Sequence, residues 1–180
     1  MGKIIALVGM CGSGKSVVSE MFEARGYTRI YFGGVTMKEL EKRGLEKCEA
    51  NERMIREELR KTYGQPAFAI LLLDDIQDAS QKGDVILDGL YSWEEYKVLK
   101  ERFGDSLTIV AVVTDSELRY TRLSTRTVRP LTREQAISRD YSEIENLAKG
   151  GPIAIADKFI KNNGDLADLN AEFENLLTSL

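Results

Sequence analysis

The sequence predicts an α/β fold with a mainly parallel sheet, on three observations. Short apolar, β-rich runs alternate with amphipathic stretches of helical period along the whole chain. The first run passes directly into a glycine-rich loop and then a helix, residues 4–18 reading IIALVGMCGSGKSVV. No internal repeat, low-complexity tract or linker divides the 180 residues, which therefore read as one domain. A chain of this length buries about 70% of the surface it exposes when unfolded.

Each element has its own local reason. Residues 3–8 (KIIALV) are short, apolar and ended by glycine, as a buried strand is. From Ser16 to Glu23, the apolar Val17, Val18, Met21 and Phe22 recur at helical spacing until Gly26 stops the helix. Residues 27–32 (YTRIYF) form a second strand ended by Gly33 and Gly34. Residues 35–43 and about 49–62 read as two charged helices separated near Gly44, and Pro66 opens a third, PAFAILLLDDIQDASQ. DVILD (84–88) is the third strand. Ser92 with Glu95 makes a capping box for a helix over 93–102.

SLTIVAVV (106–113), strongly apolar and β-branched, is the fourth strand. A helix follows over about 115–124, then a polar arginine-rich segment over 125–131. Thr132 with Gln135 caps the next helix. Gly150-Gly151-Pro152 is read as a break, KFIKN as a fifth short strand, and 165–178 as a final amphipathic helix.

Composition excludes several classes. Hydrophobic content of 43% and charged content of 30% are those of a folded globular chain. A net charge of -4 gives no global positive field, so nucleic acid is not an expected partner. No run approaches the roughly 18 apolar residues of a membrane span, and the first strand lacks the flanks of a signal peptide. Cys11 and Cys48 lie far apart without a Cys-x-x-Cys pair, which points to free thiols in a reducing, cytoplasmic setting. The chain has no histidine, so Ser-His and Cys-His pairs and His-ligated metals are excluded.

Gly9-x-x-x-x-Gly14-Lys15-Ser16 matches the phosphate-binding loop, a pattern expected by chance in roughly one such chain in a hundred or fewer. Its position between strand and helix is what the mechanism requires. Glycines let backbone N–H groups turn toward anionic oxygens, and the helix start adds unpaired amides and a positive dipole end. Gly9, Met10, Cys11, Gly12, Ser13, Gly14, Lys15, Ser16 and Val17 are thus the candidate contacts to ATP. Lys15 is expected on the β- and γ-phosphates and the Ser16 hydroxyl on Mg²⁺.

Asp88 ends the third strand, at the sheet edge where ligands of parallel sheets sit. It is read as a second oxygen donor to Mg²⁺ and as the candidate general base, or else as a cap for the following turn. Asp74 and Asp75 fall within a helical pattern and read as a solvated or capping pair.

Six arginines, Arg119, Arg122, Arg126, Arg129, Arg133 and Arg139, occupy residues 119–139 with no lysine among them. The planar guanidinium suits bidentate phosphate contact, so Arg122, Arg126 and Arg129 are the catalytic candidates beside Lys15 and Asp88, with Arg139 as a further one. The alternative is a solvated helix face paired with Glu134 and Glu143, which suits about half of the six. Asn162-Asn163-Gly164 follows the fifth strand and on composition alone is an ordinary turn.

The P-loop, ILDG (86–89), the arginine segment with SRD, and ADKFIKNNG (156–164) together resemble the nucleoside-monophosphate-kinase-like group. The likeness is nearest to dephospho-CoA kinase-like and adenylate-kinase-related proteins, and it spans nearly the whole chain. It implies a three-layer sandwich around a five-stranded parallel sheet, a mobile lid over 125–133 and an acceptor-binding region over 33–63. It also implies adenine contact by Asn162, Asn163 and Gly164.

The departures fall on the acceptor side. In DGLYS, Tyr91 and Ser92 replace the Pro and Arg of adenylate kinases, and Gly33-Gly34 and Met37 stand where relatives carry an acid and often an Arg. Arg53, Arg56 and Arg60 share a helical spacing. They either meet the acceptor or form a solvated face with Glu49, Glu52 and Glu57.

Two functions remain. One is a Mg²⁺-ATP phosphotransferase acting on a small phosphorylated or hydroxyl-bearing metabolite. The other is an ATP-hydrolysing switch or binding module acting on a protein partner. The absence of an Asn-Lys-x-Asp motif argues against a GTPase, and that of a Leu-Ser-Gly-Gly segment against an ABC-type ATPase.

Overall fold

The computed structural model describes residues 2–180. Strands β1 (Ile4–Val8), β2 (Thr28–Tyr31), β3 (Val85–Asp88), β4 (Leu107–Val113) and β5 (Lys158–Lys161) form one sheet in the order β2-β3-β1-β4-β5. Every pairing is parallel. The helices are α1 (Lys15–Ala24), α2 (Gly34–Lys42), α3 (Glu49–Tyr63), α4 (Ala67–Lys82), α5 (Trp93–Phe103), α6 (Ser116–Thr125), α7 (Arg133–Leu147), α8 (Gly150–Ala154) and α9 (Leu166–Thr178).

The period of two along β1 builds the three layers. All five β1 residues are buried, so the strand reads as a continuous apolar run rather than an alternating one. Ile4, Ala6 and Val8 face a core with Phe68, Leu72 and Ile76 of α4 and Leu99 and Phe103 of α5. Ile5 and Leu7 face the other way, onto Val18 and Phe22 of α1 and Leu169, Phe173 and Leu176 of α9. Phe22 and Phe173 meet edge to face with ring centroids 4.8 Å apart. Each such buried side chain contributes about 1.5–3 kcal/mol of burial free energy.

Both predicted capping boxes form, Ser92 with Glu95 and Thr132 with Gln135, and Asp165 with Asp168 makes a third. One expectation is corrected. Gly150-Gly151-Pro152 is not a break but the start of α8. Proline is tolerated in a first helical turn because its missing N–H would have no partner there. The chain turns earlier, at Ala148, whose φ of 47 ends α7.

Because β1 is central, with β3 on one side and β4 on the other, the carboxyl ends of these three strands open into one crevice. Among the described residues no helix is long and apolar enough to cross a membrane.

Candidate functional site

The loop from Gly9 to Gly14 leaves β1 with positive φ at Gly9, Gly12 and Gly14. Two of these glycines are required by space as well. A Cβ on Gly9 would stand 2.4 Å from the Val112 carbonyl oxygen, and one on Gly14 would stand 2.2 Å from Asn162 Nδ2.

The loop's carbonyls are held from outside. The Lys15 ammonium donates to Gly9 O at 2.8 Å and Met10 O at 3.0 Å. Arg119 donates to Cys11 O at 3.0 Å. Asn162 Nδ2 and Thr114 Oγ1 donate to Ser13 O at 2.8 and 3.1 Å. The amides of Gly12, Gly14, Lys15 and Ser16 donate to no group among the described residues. With carbonyls turned away and amides unspent at a helix start, the loop is an anion cradle. Burial, with Lys149 close by, pulls the Lys15 ammonium down to about 8, while Glu143, Cys11 and Asp88 oppose that shift.

Asp88 sits at the end of β3, nearly buried, and its Oδ2 accepts from Arg29 Nη2 of β2 at 2.5 Å. Its Oδ1 accepts no hydrogen bond from the described residues. Ser16 lies exposed on the first turn of α1. Among the described residues no group of three or more His, Cys, Asp or Glu gathers as a metal site. Two hard oxygen donors, Ser16 and Asp88, fit a Mg²⁺ that takes its remaining ligands from phosphate and water.

The six arginines divide. Arg119 is buried and doubly hydrogen-bonded to Asp140, at 2.8 and 2.6 Å. Arg122 donates to Asn162 O at 3.0 Å and to Asn162 Oδ1 and Gly164 O, both at 3.4 Å. Arg126 folds back onto Arg129 O at 2.5 Å. Arg129, with φ 54, reaches Glu52 of α3 at 2.6 Å. Arg133 pairs with Glu117, and Arg139 with Glu143 at 3.2 Å.

After β5, Asn162 is spent on the P-loop and on Arg122, and Asn163 Oδ1 accepts from the Asp115 amide at 2.9 Å. The turn after β5 thus braces the phosphate loop.

Sequence reasoning missed the part played by Glu143. Its Oε2 accepts from the Cys11 amide at 3.3 Å and from buried Lys149 at 2.7 Å, so α7 is tied to the phosphate loop. Lys149, Arg139 and Lys15 together hold the Glu143 carboxyl below its usual range against the opposing effect of burial. The only signal in the sequence was the Arg139–Glu143 spacing of four; nothing local announces a contact across 132 residues. Arg29 was likewise an unmarked residue in an alternating strand.

A cavity of about 750 Å³ lies between α2 and α3 on one side and α7 on the other. Tyr31, Thr36, Arg60, Phe68, Tyr91 and Glu143 are among its walls. Burial, together with the neighbouring Tyr31, Asp88 and Glu95, pushes the Tyr91 hydroxyl far up, so it stays protonated.

Comparison with known proteins agrees with this geometry. The model of the AAA domain family matches residues 5–146. The UPF0200 protein of Thermococcus kodakarensis is 35% identical over 182 residues, covering 98% of this chain and 97% of that protein. Among solved structures, TT1252 from Thermus thermophilus aligns with a TM-score of 0.70 at 20% identity, covering 99% of this chain and 98% of that one. Dephospho-CoA kinase from Campylobacter jejuni aligns with a TM-score of 0.63 at 18% identity, covering 99% and 97%. At such identities the likeness is one of fold, and it is the P-loop kinase-type fold that the motifs resemble. The chain belongs to the AAA domain family and to the UPF0200 proteins.

Proposed function

We propose that the chain is a Mg²⁺- and ATP-dependent phosphotransferase acting on a small metabolite. One observation carries the reading. The 750 Å³ cavity shares a wall, Glu143, with the phosphate loop, through the hydrogen bond from the Cys11 amide. A molecule in that cavity therefore adjoins the place where a terminal phosphoryl group would lie. The fold shared with dephospho-CoA kinase supports it.

In this reading the P-loop residues 9–17 bind the phosphates of ATP, and Lys15 exchanges its carbonyl partners for phosphate oxygens. Ser16 and Asp88 hold Mg²⁺, which would neutralise phosphate charge. Residues 125–133 act as the lid and residues 33–63 line the acceptor side. Arg122, next to the P-loop through Asn162, and Arg126 and Arg129 on the lid supply the mobile positive charge. Asn162, Asn163 and Gly164 place the adenine. Phosphoryl transfer asks for such positioning and charge neutralisation more than for covalent help. The setting is cytoplasmic and no nucleic acid takes part.

The test is γ-labelled ATP with a panel of nucleoside monophosphates, dephospho-CoA and small hydroxy acids. Label moving into an acceptor is expected. Label found only as inorganic phosphate, and raised by a protein partner, would replace this reading with a hydrolysing switch.

A further inference from the structure

We infer that the Arg60 guanidinium and the Thr36 hydroxyl form the seat for an anionic group, carboxylate or phosphate, on the molecule that fills the cavity. This rests on the phosphotransferase reading only in calling that molecule the acceptor.

The charges around the cavity are the first ground. Four of its arginines are Arg56, Arg60, Arg129 and Arg139. Arg56 pairs with Glu49 at 2.7 Å and Glu52 at 3.3 Å. Arg129 pairs with the same two carboxylates, and Arg139 with Glu143. Arg60 alone of the four makes no ion pair or hydrogen bond with a described residue. Its guanidinium lies over the Phe68 ring, 5.3 Å from the centroid, and its Nε is buried without a partner. A guanidinium does not shed its proton to escape this.

Thr36 is the second, independent ground. It is 2% exposed, and its Oγ1 is buried with no hydrogen-bond partner. Two residues that line one cavity thus carry buried polar atoms without a hydrogen-bond partner, the Thr36 hydroxyl and the Arg60 Nε, and both call for an acceptor atom. Both can donate to a carboxylate or phosphate oxygen, and the guanidinium fork can do so bidentately.

Glu95 is the carboxylate that could compete. Its Oε2 is already taken by the amides of Tyr91 and Ser92, at 2.8 and 3.1 Å. Burial pushes its carboxyl up to about 7, so near neutrality it offers Arg60 only a partial counter-charge. Glu49, Glu52 and Glu143 already match the other three arginines, so Arg60 is the cavity arginine whose charge a bound negative group would match. Phe68 and Tyr91 leave space for the uncharged remainder of the molecule.

The probes are inorganic phosphate, benzoate and the uncharged benzyl alcohol, titrated into the full-length protein saturated with ADP. Binding is followed by backbone amide shifts in heteronuclear NMR. Phosphate or benzoate is expected to give saturable shifts at Thr36, Arg60 and Phe68, and benzyl alcohol none. The better of the two anions identifies the type of group. Arg60→Gln should weaken that anion by about tenfold or more, and Thr36→Val by a smaller factor.

Absence of shifts at these three residues with both anions, equal shifts with benzyl alcohol, or unaltered binding by Arg60→Gln would overturn the inference. Should Arg60→Gln fail to fold, the nearly isosteric Thr36→Val decides, and unaltered anion binding by it counts against the seat. The ADP signal at Gly12–Ser16 is read separately. A chain that binds the anion at Thr36 but no ADP contradicts the phosphotransferase reading and leaves the anion seat standing.

Discussion

Arg29 on β2 donates to Asp88 at the end of β3 at 2.5 Å, so the Asp88 carboxylate is matched in charge before any ligand arrives. The Asp88 side chain is 6% exposed and that of Arg29 25%, so the pair is asymmetric: losing the cation strands a buried anion. Arg29→Met should cost about 2 kcal/mol, below the roughly 3–5 of a fully buried pair because a quarter of Arg29 is in water. Asp88→Asn keeps a hydrogen-bond acceptor for Arg29 and should cost less stability, yet lower phosphoryl transfer by about a hundredfold or more. Urea denaturation and a transfer assay on both variants separate the effects. Undiminished transfer by Asp88→Asn would remove Asp88 from the proposed machinery.

Lys15 gives a pH dependence with a definite sign. Its ammonium titrates at about 8 in the free protein because it is buried beside Lys149. Bound phosphates favour the charged form, so the pKa is higher in the complex. Nucleotide affinity is therefore full below pH 8 and falls as pH rises through 8, by at most tenfold per unit. Fluorescent ATP-analogue titrations between pH 7 and 9.5 measure this. Lys15→Met should bind weakly with no such slope, and a flat wild-type profile would contradict the assignment.

Glu95 gives the opposite kind of signature, in stability. Burial raises its carboxyl in the fold to about 7, well above the value of 4.5 in an unfolded chain. The folded protein thus binds more protons than the unfolded one between these limits, and stability declines as pH rises from about 4.5 to 7. The full effect is on the order of 3 kcal/mol. Glu95→Gln can still accept from the Ser92 amide and keep the capping box. It should flatten the profile and unfold at higher urea than wild type at pH 8. Parallel profiles for the two proteins would show that the carboxyl is not responsible.

Sequence revealed what is encoded within a dozen residues. The strand-loop-helix of residues 4–18, the alternation of elements and the two capping boxes each rest on neighbours along the chain, so period and spacing expose them. The contacts that shape the site join residues far apart: Cys11 with Glu143, Arg29 with Asp88, Glu52 with Arg129. At the sequence level Arg119 and Arg122 differ in nothing but position. Folding buries one against Asp140 and turns the other to the Asn162 carbonyl. The fully paired Arg53 and Arg56 and the unpaired Arg60 also share one helical spacing, and only the packing of α3 against α4 separates them.

The Arg119–Asp140 pair shows whether a buried ion pair here stabilises the fold or shapes the phosphate loop. Both side chains are under 10% exposed, their two hydrogen bonds measure 2.8 and 2.6 Å, and Tyr120 adds a third donor to Asp140 at 3.0 Å. Arg119 also holds the Cys11 carbonyl at 3.0 Å, which helps keep the Cys11–Gly12 peptide oriented with its amide toward the crevice. Removing one partner leaves a desolvated charge, so Asp140→Ala should cost about 3–5 kcal/mol. Replacing both with apolar residues of similar size removes the charge problem, so Arg119→Met/Asp140→Leu should recover most of that loss. The double variant still lacks the donor to Cys11 O, and its affinity for ATP should stay several-fold below wild type although its stability returns. Urea midpoints at constant m-value and ATP titrations on the same samples make the comparison. If stability and affinity recover together, the pair acts only as packing; if neither recovers, the ion pair itself stabilises the fold.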